Sequence, residues 1–340
     1  MENLALEISK LIGEPINLSL PTPVEISAIA DIEVVDPGEK VWVYDAYDTD
    51  ADEGLDINPS TGAITVIKRT PMAITELSFK GLQSQLEYVL ATDVLGSPDT
   101  QLLGRKKERL LSALNKLELR CILNAIVDGK TPGMVAGSTA ALEDVIQTPA
   151  LASGDDLYDV IIKMKHKVED YGDSYLFLAG SAIKEKIDTY NKDYANSLHY
   201  NVDLPNTLKS LGIDVMKIFG TVKWTGGLHN VNAGGYADDG SVTALLNTNK
   251  AILIARNSRV APGTGKPVKF VRRRIPADIA RLMGADVDKA QRATLAVPMP
   301  IPVAGVLTAG YGVYAMESII WFVSNPQSIV KTDDLSAYLS

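Results

Sequence analysis

Cysteine is nearly absent from this chain: its 340 residues hold a single one, Cys121. One thiol can neither close an internal disulfide nor build a thiolate metal site. A disulfide-stapled secreted scaffold is therefore excluded, and a reducing cytoplasm suits the composition. Histidine is almost as scarce. His166, His199 and His229 lie far apart, and none has a second histidine or a cysteine at ligand spacing, so no zinc site is expected. Aromatic residues amount to 6% of the chain and are not interleaved with basic ones, so the stacking platform of a single-strand nucleic-acid binder is missing. No apolar run approaches the roughly 20 residues that cross a bilayer. The opening residues MENLALEISKLIGEP carry acids where a signal peptide has a basic flank, so neither membrane residence nor export is expected.

What is present is an ordinary folded composition, 46% hydrophobic and 22% charged, in a chain of 36.6 kDa. That length exceeds the roughly 100 to 200 residues of one domain, so two cores, or one core with long extensions, are expected. The formal net charge of −9 is local. Asp31, Glu33, Asp36, Glu39, Asp45, Asp48, Asp50, Asp52, Glu53 and Asp56 face only Lys40, so this one segment accounts for the whole excess. From Lys250 to Ala277, conversely, stand Lys250, Arg256, Arg259, Lys266, Lys269, Arg272, Arg273 and Arg274, with no acid among them. Asymmetry of this kind points to a surface partner of opposite sign.

Along the chain, Pro15, Pro21 and Pro23 forbid a regular helix early on and favour an extended arm. Two alternating runs, IEVVDPGEKVWVYDAYDTD and GAITVIKRTPMAITELSF, bracket the turn-rich DADEGLDINPSTG and predict a long two-stranded hairpin loop. Such a ribbon is marginal in water and needs packing against something else. A short helix is expected over LQSQLEYVLA. Ser97 to Asp128 then reads as one long helix, with Ser97 as N-cap, Pro98 at the first position, and Gly129 and Pro132 as the stop. Leu103, Leu110, Leu114, Leu117 and Cys121 mark its apolar face, which Leu119, Ile122, Leu123 and Ile126 widen. At 1.5 Å per residue it spans roughly 45 Å.

A loop-like stretch from Lys130 to Ser153 precedes an α/β module. A helix over DDLYDVIIKMKHKVEDYG presents Leu157, Ile161, Met164 and Val168; SYLFLAG is a buried strand; SAIKEKIDTYNKDYA is a second helix capped by Ser181. SVTALL and AILIA read as a hairpin joined by NTNK. The C-terminal third is mostly strand, with one helix near Ala277 to Met283.

Each motif that suggests chemistry fails on register. Asp48, Asp50 and Asp52 alternate like calcium ligands, yet the turn position holds Glu53 and the twelfth position Pro59. APGTGKP lacks the first glycine of a phosphate loop, where Val260 stands, and its hydroxyl, where Pro267 stands. Ser181 and Lys184 form an S-x-x-K pattern without the S-D-N or K-T-G companions of Ser-Lys hydrolases, and capping explains Ser181. No catalytic residue, cofactor or metal is expected, and the chain does not read as an enzyme.

The order of arm, long hairpin, very long helix, α/β module and β-rich return resembles the Hong Kong 97-type capsid fold of tailed-bacteriophage major capsid proteins. The resemblance spans nearly the whole chain. It is carried also by the texture of DDLYDVIIKMKHKVEDYGDSYLFLAGSAIKEKI and GYGVYAMESIIWFVSNPQSIVK. It implies an α+β protein with an N-terminal arm at 1–30 and an E-loop hairpin at 31–76. A first part of the P domain follows at 77–152, containing the spine helix 97–128, then an A domain at 153–255 and return strands of the P domain at 256–340. The implied function is a structural subunit whose pentamers and hexamers form an icosahedral shell around double-stranded DNA.

The implied partners are other copies of the chain, a portal, decoration proteins, packaged DNA and, since no long coiled-coil extension precedes the arm, a separate scaffolding protein. The implied location is the virion capsid, assembled in the host bacterial cytoplasm. Lys40 and Lys68 lie in the loop, but nothing identifies a cross-linking acceptor. An encapsulin-like compartment is the alternative, and a Ser-Lys hydrolase the distant one. The charge map adds an expected contact. The acidic segment of one subunit, through Asp45, Asp48, Asp50, Asp52, Glu53 and Asp56, packs over basic surface of a neighbour. That surface is either Arg105, Lys106, Lys107 and Arg109 of the long helix or the strip Lys266, Lys269, Arg272, Arg273 and Arg274.

Overall fold

The computed structural model describes residues 26–44, 74–77, 79–83, 87–92, 102–127, 146–194, 204–223, 242–256, 265–278 and 291–339. The arm to residue 25, the acidic stretch Asp45–Asp56, the helix start at Ser97 and its stop at Gly129, the loop 130–145, His199, His229 and most of the expected helix after Ala277 lie outside the described residues. In chain order the helices are α1 (Ile26–Ile29), α2 (Leu102–Val127), α3 (Leu157–Val168), α4 (Ser181–Tyr194) and α5 (Leu204–Ser210). The strands are β1 (Ala30–Val35), β2 (Val41–Tyr44), β3 (Ile74–Leu77), β4 (Lys80–Gln83), β5 (Glu87–Leu90), β6 (Ser174–Ala179), β7 (Ile213–Lys217), β8 (Thr221–Lys223) and β9 (Val242–Ala244). They continue as β10 (Ala251–Arg256), β11 (Val268–Arg273), β12 (Arg292–Val303), β13 (Val306–Val323) and β14 (Ile329–Lys331). The architecture is mixed α+β.

Parity in two short strands decides how the halves join. SYLFLA and AILIAR are apolar at nearly every position, so side chains on both faces must be buried. They form the centre of a four-stranded sheet in the order β14-β10-β6-β7. Phe177, Ala179, Leu253, Ala255 and Val330 join one core with Leu157, Ile161, Met164 and Val168 of α3, Ile183 and Ile187 of α4, and Leu204 and Leu208 of α5. Leu176, Leu178, Ile252, Ile254 and Ile329, pointing the other way, join a second core with α2 and the larger sheet. One sheet is thus the shared wall of two cores. Helix α3 starts where the sequence demands it. Asp156 and Asp159 form a reciprocal capping box, and Tyr190 of α4 donates to Asp156 Oδ2 at 2.7 Å, tying the two helices together.

The larger sheet runs β1-β11-β13-β12, with β4 and β5 also pairing with β13. Its hairpin of β12 and β13 is twelve pairs long and turns at Ala304 and Gly305, both with positive φ. Pro298, Pro300 and Pro302 sit two residues apart on β12. Alternate residues send their N–H to the same side, so all three missing donors fall on the open side and the ladder to β13 is kept. This end of the sheet is thereby blunted against further strand pairing.

Three expectations are corrected. LQSQLEYVLA is not helical through its length: β4 and β5 pair with β13 instead, because a long strand with unfilled hydrogen-bonding groups outcompetes a weak local helix preference. SVTALL and AILIA do not pair with each other. β9 pairs with β8, and β10 lies between β6 and β14, where both its apolar faces are covered. Ser181 is the first residue of α4 rather than its cap. Gly180 accepts from the Lys184 N–H and lies so close to the 247–248 backbone that a Cβ would stand 2.2 Å from the Asn247 oxygen. Gly180→Ala is therefore expected to lower stability by about 1–3 kcal/mol in urea unfolding, whereas Gly154→Ala, which meets nothing within 4 Å, leaves the midpoint nearly unchanged.

Candidate assembly surface and the charges beneath it

The sequence DPGEK makes a turn before it makes a ribbon. Pro37 fixes one φ, Gly38 supplies the positive φ of 92°, and Glu39 N–H donates to Asp36 O at 3.2 Å. After that turn β2 pairs antiparallel with β3 from Val41↔Leu77 to Tyr44↔Ile74, as a two-stranded unit outside the two larger sheets. Lys40 bridges to Glu76 at 3.0 Å and stands over the ring of Trp42, which is 51% exposed. The two-stranded ribbon thus presents a tryptophan to solvent, and a ribbon of this kind is marginally stable by itself in water.

The legs of the ribbon are held by the basic strip. β1 runs parallel to β11 with Asp31 opposite Lys269 and Val35 opposite Arg273. Lys269 Nζ reaches Asp31 Oδ2 at 2.5 Å, and the Lys266 N–H donates to the same oxygen at 3.2 Å. Arg273 lies 3.7 Å from the Phe79 ring centroid and donates to Glu39 O at 2.9 Å, so it touches the chain entering the ribbon and the chain leaving it. Arg274 pairs with Asp36 at 2.7 Å, and its N–H donates to Val35 O. The strip thus has partners inside its own chain, drawn from the first acids of the acidic segment.

Arg272 points to the opposite face and belongs to a buried cluster. α2 carries Glu118 on its apolar face, one turn after Leu114 and three residues before Cys121, and Glu118 is fully buried. Arg272 clamps it with both nitrogens, Nε to Oε1 and Nη2 to Oε2, each at 2.9 Å. Arg292 of β12 places Nη2 2.6 Å from Glu118 Oε2, Nη1 2.6 Å from Asn115 Oδ1 and Nε 2.8 Å from Glu317 Oε2. Glu317 of β13 has a fully buried side chain, and its Oε1 meets no donor among the described residues. Burial, and next the charge of Glu118, push the Glu317 carboxyl up to about 8, although Arg292 pulls the other way. Burial, with Glu317 and Glu118 behind it, also raises the Cys121 thiol well above its ordinary range.

No protein-family model matches the sequence, and no curated protein does. Solved structures do. A chain of Microbacterium phage Oxtober96 is similar over 94% of this chain and 95% of its own, at 12% identity and a TM-score of 0.52. The capsid of the native GTA particle is similar over 93% and 98%, at 12% identity and a TM-score of 0.51. The chain has the Hong Kong 97-type capsid fold. The virus-like particle from Pyrococcus furiosus is similar over 92% and 93%, at 12% identity and a TM-score of 0.44.

Within this capsid fold the sequence-predicted contact residues fall into separate places. Arg105, Lys106, Lys107 and Arg109 lie in the first turns of α2, with Arg109 exposed. Lys266, Lys269, Arg273 and Arg274 gather at the ribbon's base, and Arg272 turns inward to α2. Asp45, Asp48, Asp50, Asp52, Glu53 and Asp56 are outside the described residues. Lys184 Nζ engages Asp188 one turn along α4. His166 is exposed and pairs with Glu169 at 3.0 Å. Cys121 is in the core, as its helical position predicts.

Sequence reasoning missed Glu118, Arg292 and Glu317. Two of them carry a legible mark: Glu118 interrupts the apolar stripe of a helix, and Glu317 stands on the inward parity of β13 between Ala315 and Ile319. Arg272→Ala leaves the Glu118 carboxylate buried with one guanidinium. It is expected to lower unfolding stability by about 3–5 kcal/mol, while Glu118→Leu combined with Arg272→Met recovers most of that loss. Urea titration of the three proteins measures both effects.

Proposed function

We propose that this chain is the structural shell subunit of a tailed bacteriophage or a related particle, acting by self-assembly and not by catalysis. The observation that carries the reading is the similarity over more than nine-tenths of both chains to the capsid of the GTA particle and to the phage chain. In this reading copies join as pentamers and hexamers, the shell encloses double-stranded DNA, and assembly takes place in a bacterial host's cytoplasm with a scaffolding protein, a portal and decoration proteins as partners. An encapsulin-like compartment differs in its contents: nuclease-protected DNA in native particles supports the phage reading, and protein cargo supports the other.

The ribbon is the element that reaches a neighbour. It leaves the larger sheet under the hold of Arg273 and Arg274, exposes Trp42 and leads into the acid-rich stretch. Opposite charge across such a contact fixes register and steers encounter more than it adds affinity. A head-to-tail contact closes into rings when its rotation allows. The neighbour's basic surface is drawn from Arg105, Lys106, Lys107 and Arg109 or from Lys266 to Arg274. Reversal of Asp48, Asp50 and Asp52 to Lys is expected to abolish or misdirect assembly while the circular dichroism spectrum and unfolding midpoint of the subunit stay within about 0.5 kcal/mol of wild type. Sedimentation velocity reads the outcome, and wild-type particles from the reversed variant would refute the acidic contact.

A further inference from the structure

The buried cluster between α2 and the larger sheet has an imbalance that its geometry makes plain. Glu118 takes Nε and Nη2 of Arg272 and is also approached by Arg292, so each of its oxygens has a donor and Oε1 can still accept another. Among the described residues Glu317 receives the Nε of Arg292, a guanidinium already shared with Glu118, and its buried Oε1 meets no donor. Glu118 Oε2 and Glu317 Oε2 lie 2.6 and 2.8 Å from neighbouring nitrogens of one Arg292 guanidinium, which sets the two carboxyls side by side, and a hydrogen bond between them requires a proton on one.

We propose that Glu317 holds a proton directed to Glu118, and that this proton is a latch seating α2 on the larger sheet, released as pH rises. The groups around it are Glu118, Asn115 and Cys121 on α2, Arg292 on β12 and Arg272 on β11, while Arg120 of α2 acts on Cys121 and donates to Ala244 O. Leu82 of β4, in register with Glu317, brings no charge. The raised Glu317 carboxyl, at about 8, agrees with the geometry. The sign follows from linkage. In an opened state Glu317 meets water and titrates near 4.5, whereas in the seated state it keeps its proton to about 8. The stabilisation is complete below the lower value, declines through the interval as the opened state alone sheds its proton, and is gone above the upper value. Opening therefore grows by up to about tenfold per pH unit across that window and levels off beyond it.

Cys121 makes this measurable. It is the chain's only thiol, fully buried, three residues from Glu118 and within the electrostatic reach of both carboxyls. The maleimide labelling rate of purified full-length chain, divided at each pH by that of a peptide spanning residues 117–125, removes the thiol's own titration. The quotient is expected to climb from about pH 5 toward pH 8 and to flatten by about pH 9 in wild type. In Glu317→Gln, a neutral isostere, it is expected to stay level. A flat wild-type quotient, or the same climb in the Gln variant, would overturn the latch. Should the Gln variant fail to fold, hydrogen exchange of the 110–126 segment in wild type decides. Protection corrected for the intrinsic rate must fall over the same window, and pH-independent protection contradicts the proposal.

Discussion

Two buried carboxyls and two largely buried guanidiniums hold the long helix to the larger sheet, and much else is arranged around them. Glu118, Arg272, Arg292 and Glu317 come from one helix and three adjacent strands. Apolar packing alone tolerates sliding of a helix along a sheet, because hydrophobic burial has no direction. A bidentate guanidinium–carboxylate pair does not, since its two parallel bonds fix both position and rotation. Removing water makes the pair electrostatically stronger and the unmade bond more damaging. The cluster therefore acts as a register pin in the middle of a core that would otherwise accept several alignments.

The same strand distributes charge in two directions. On β11, Arg272 faces inward to the pin, while Lys269 and Arg273 face the other way and tie down β1 and the base of the ribbon. An element that must reach beyond its own core needs rigid footing, and here the footing is made of planar, forked donors that grip backbone carbonyl, carboxylate and aromatic face together. The strip that looked in sequence like a surface awaiting an acidic partner already meets Asp31 and Asp36 at home. The acids farther along the segment lie outside the described residues, and the proposed contact with a neighbour rests on their charge.

Much of the fold was legible in the sequence, because long periodic segments announce themselves: the helical body of α2, the apolar stripe of α3, and the two-sided burial of β6 and β10. What was not legible depended on pairing at a distance. No local feature says that Ala30–Val35 lies parallel to Val268–Arg273, or that Lys80–Gln83 and Glu87–Leu90 join the long strand of a hairpin more than 200 residues later. The pinning cluster was half visible. Glu118 breaks a stripe and Glu317 breaks a parity, and each by itself reads as an irregularity. Together they mark a buried pair that two arginines must satisfy.

The central claim, that this chain builds a closed shell through a ribbon extended over a neighbour, is tested most directly by electron cryomicroscopy of the purified full-length protein. A reconstruction of icosahedral particles, with the β2–β3 ribbon of one copy lying across the next and Trp42 covered at the contact, is the expected result. Small oligomers that never close into a shell, or a shell in which every ribbon folds back onto its own subunit, would contradict it.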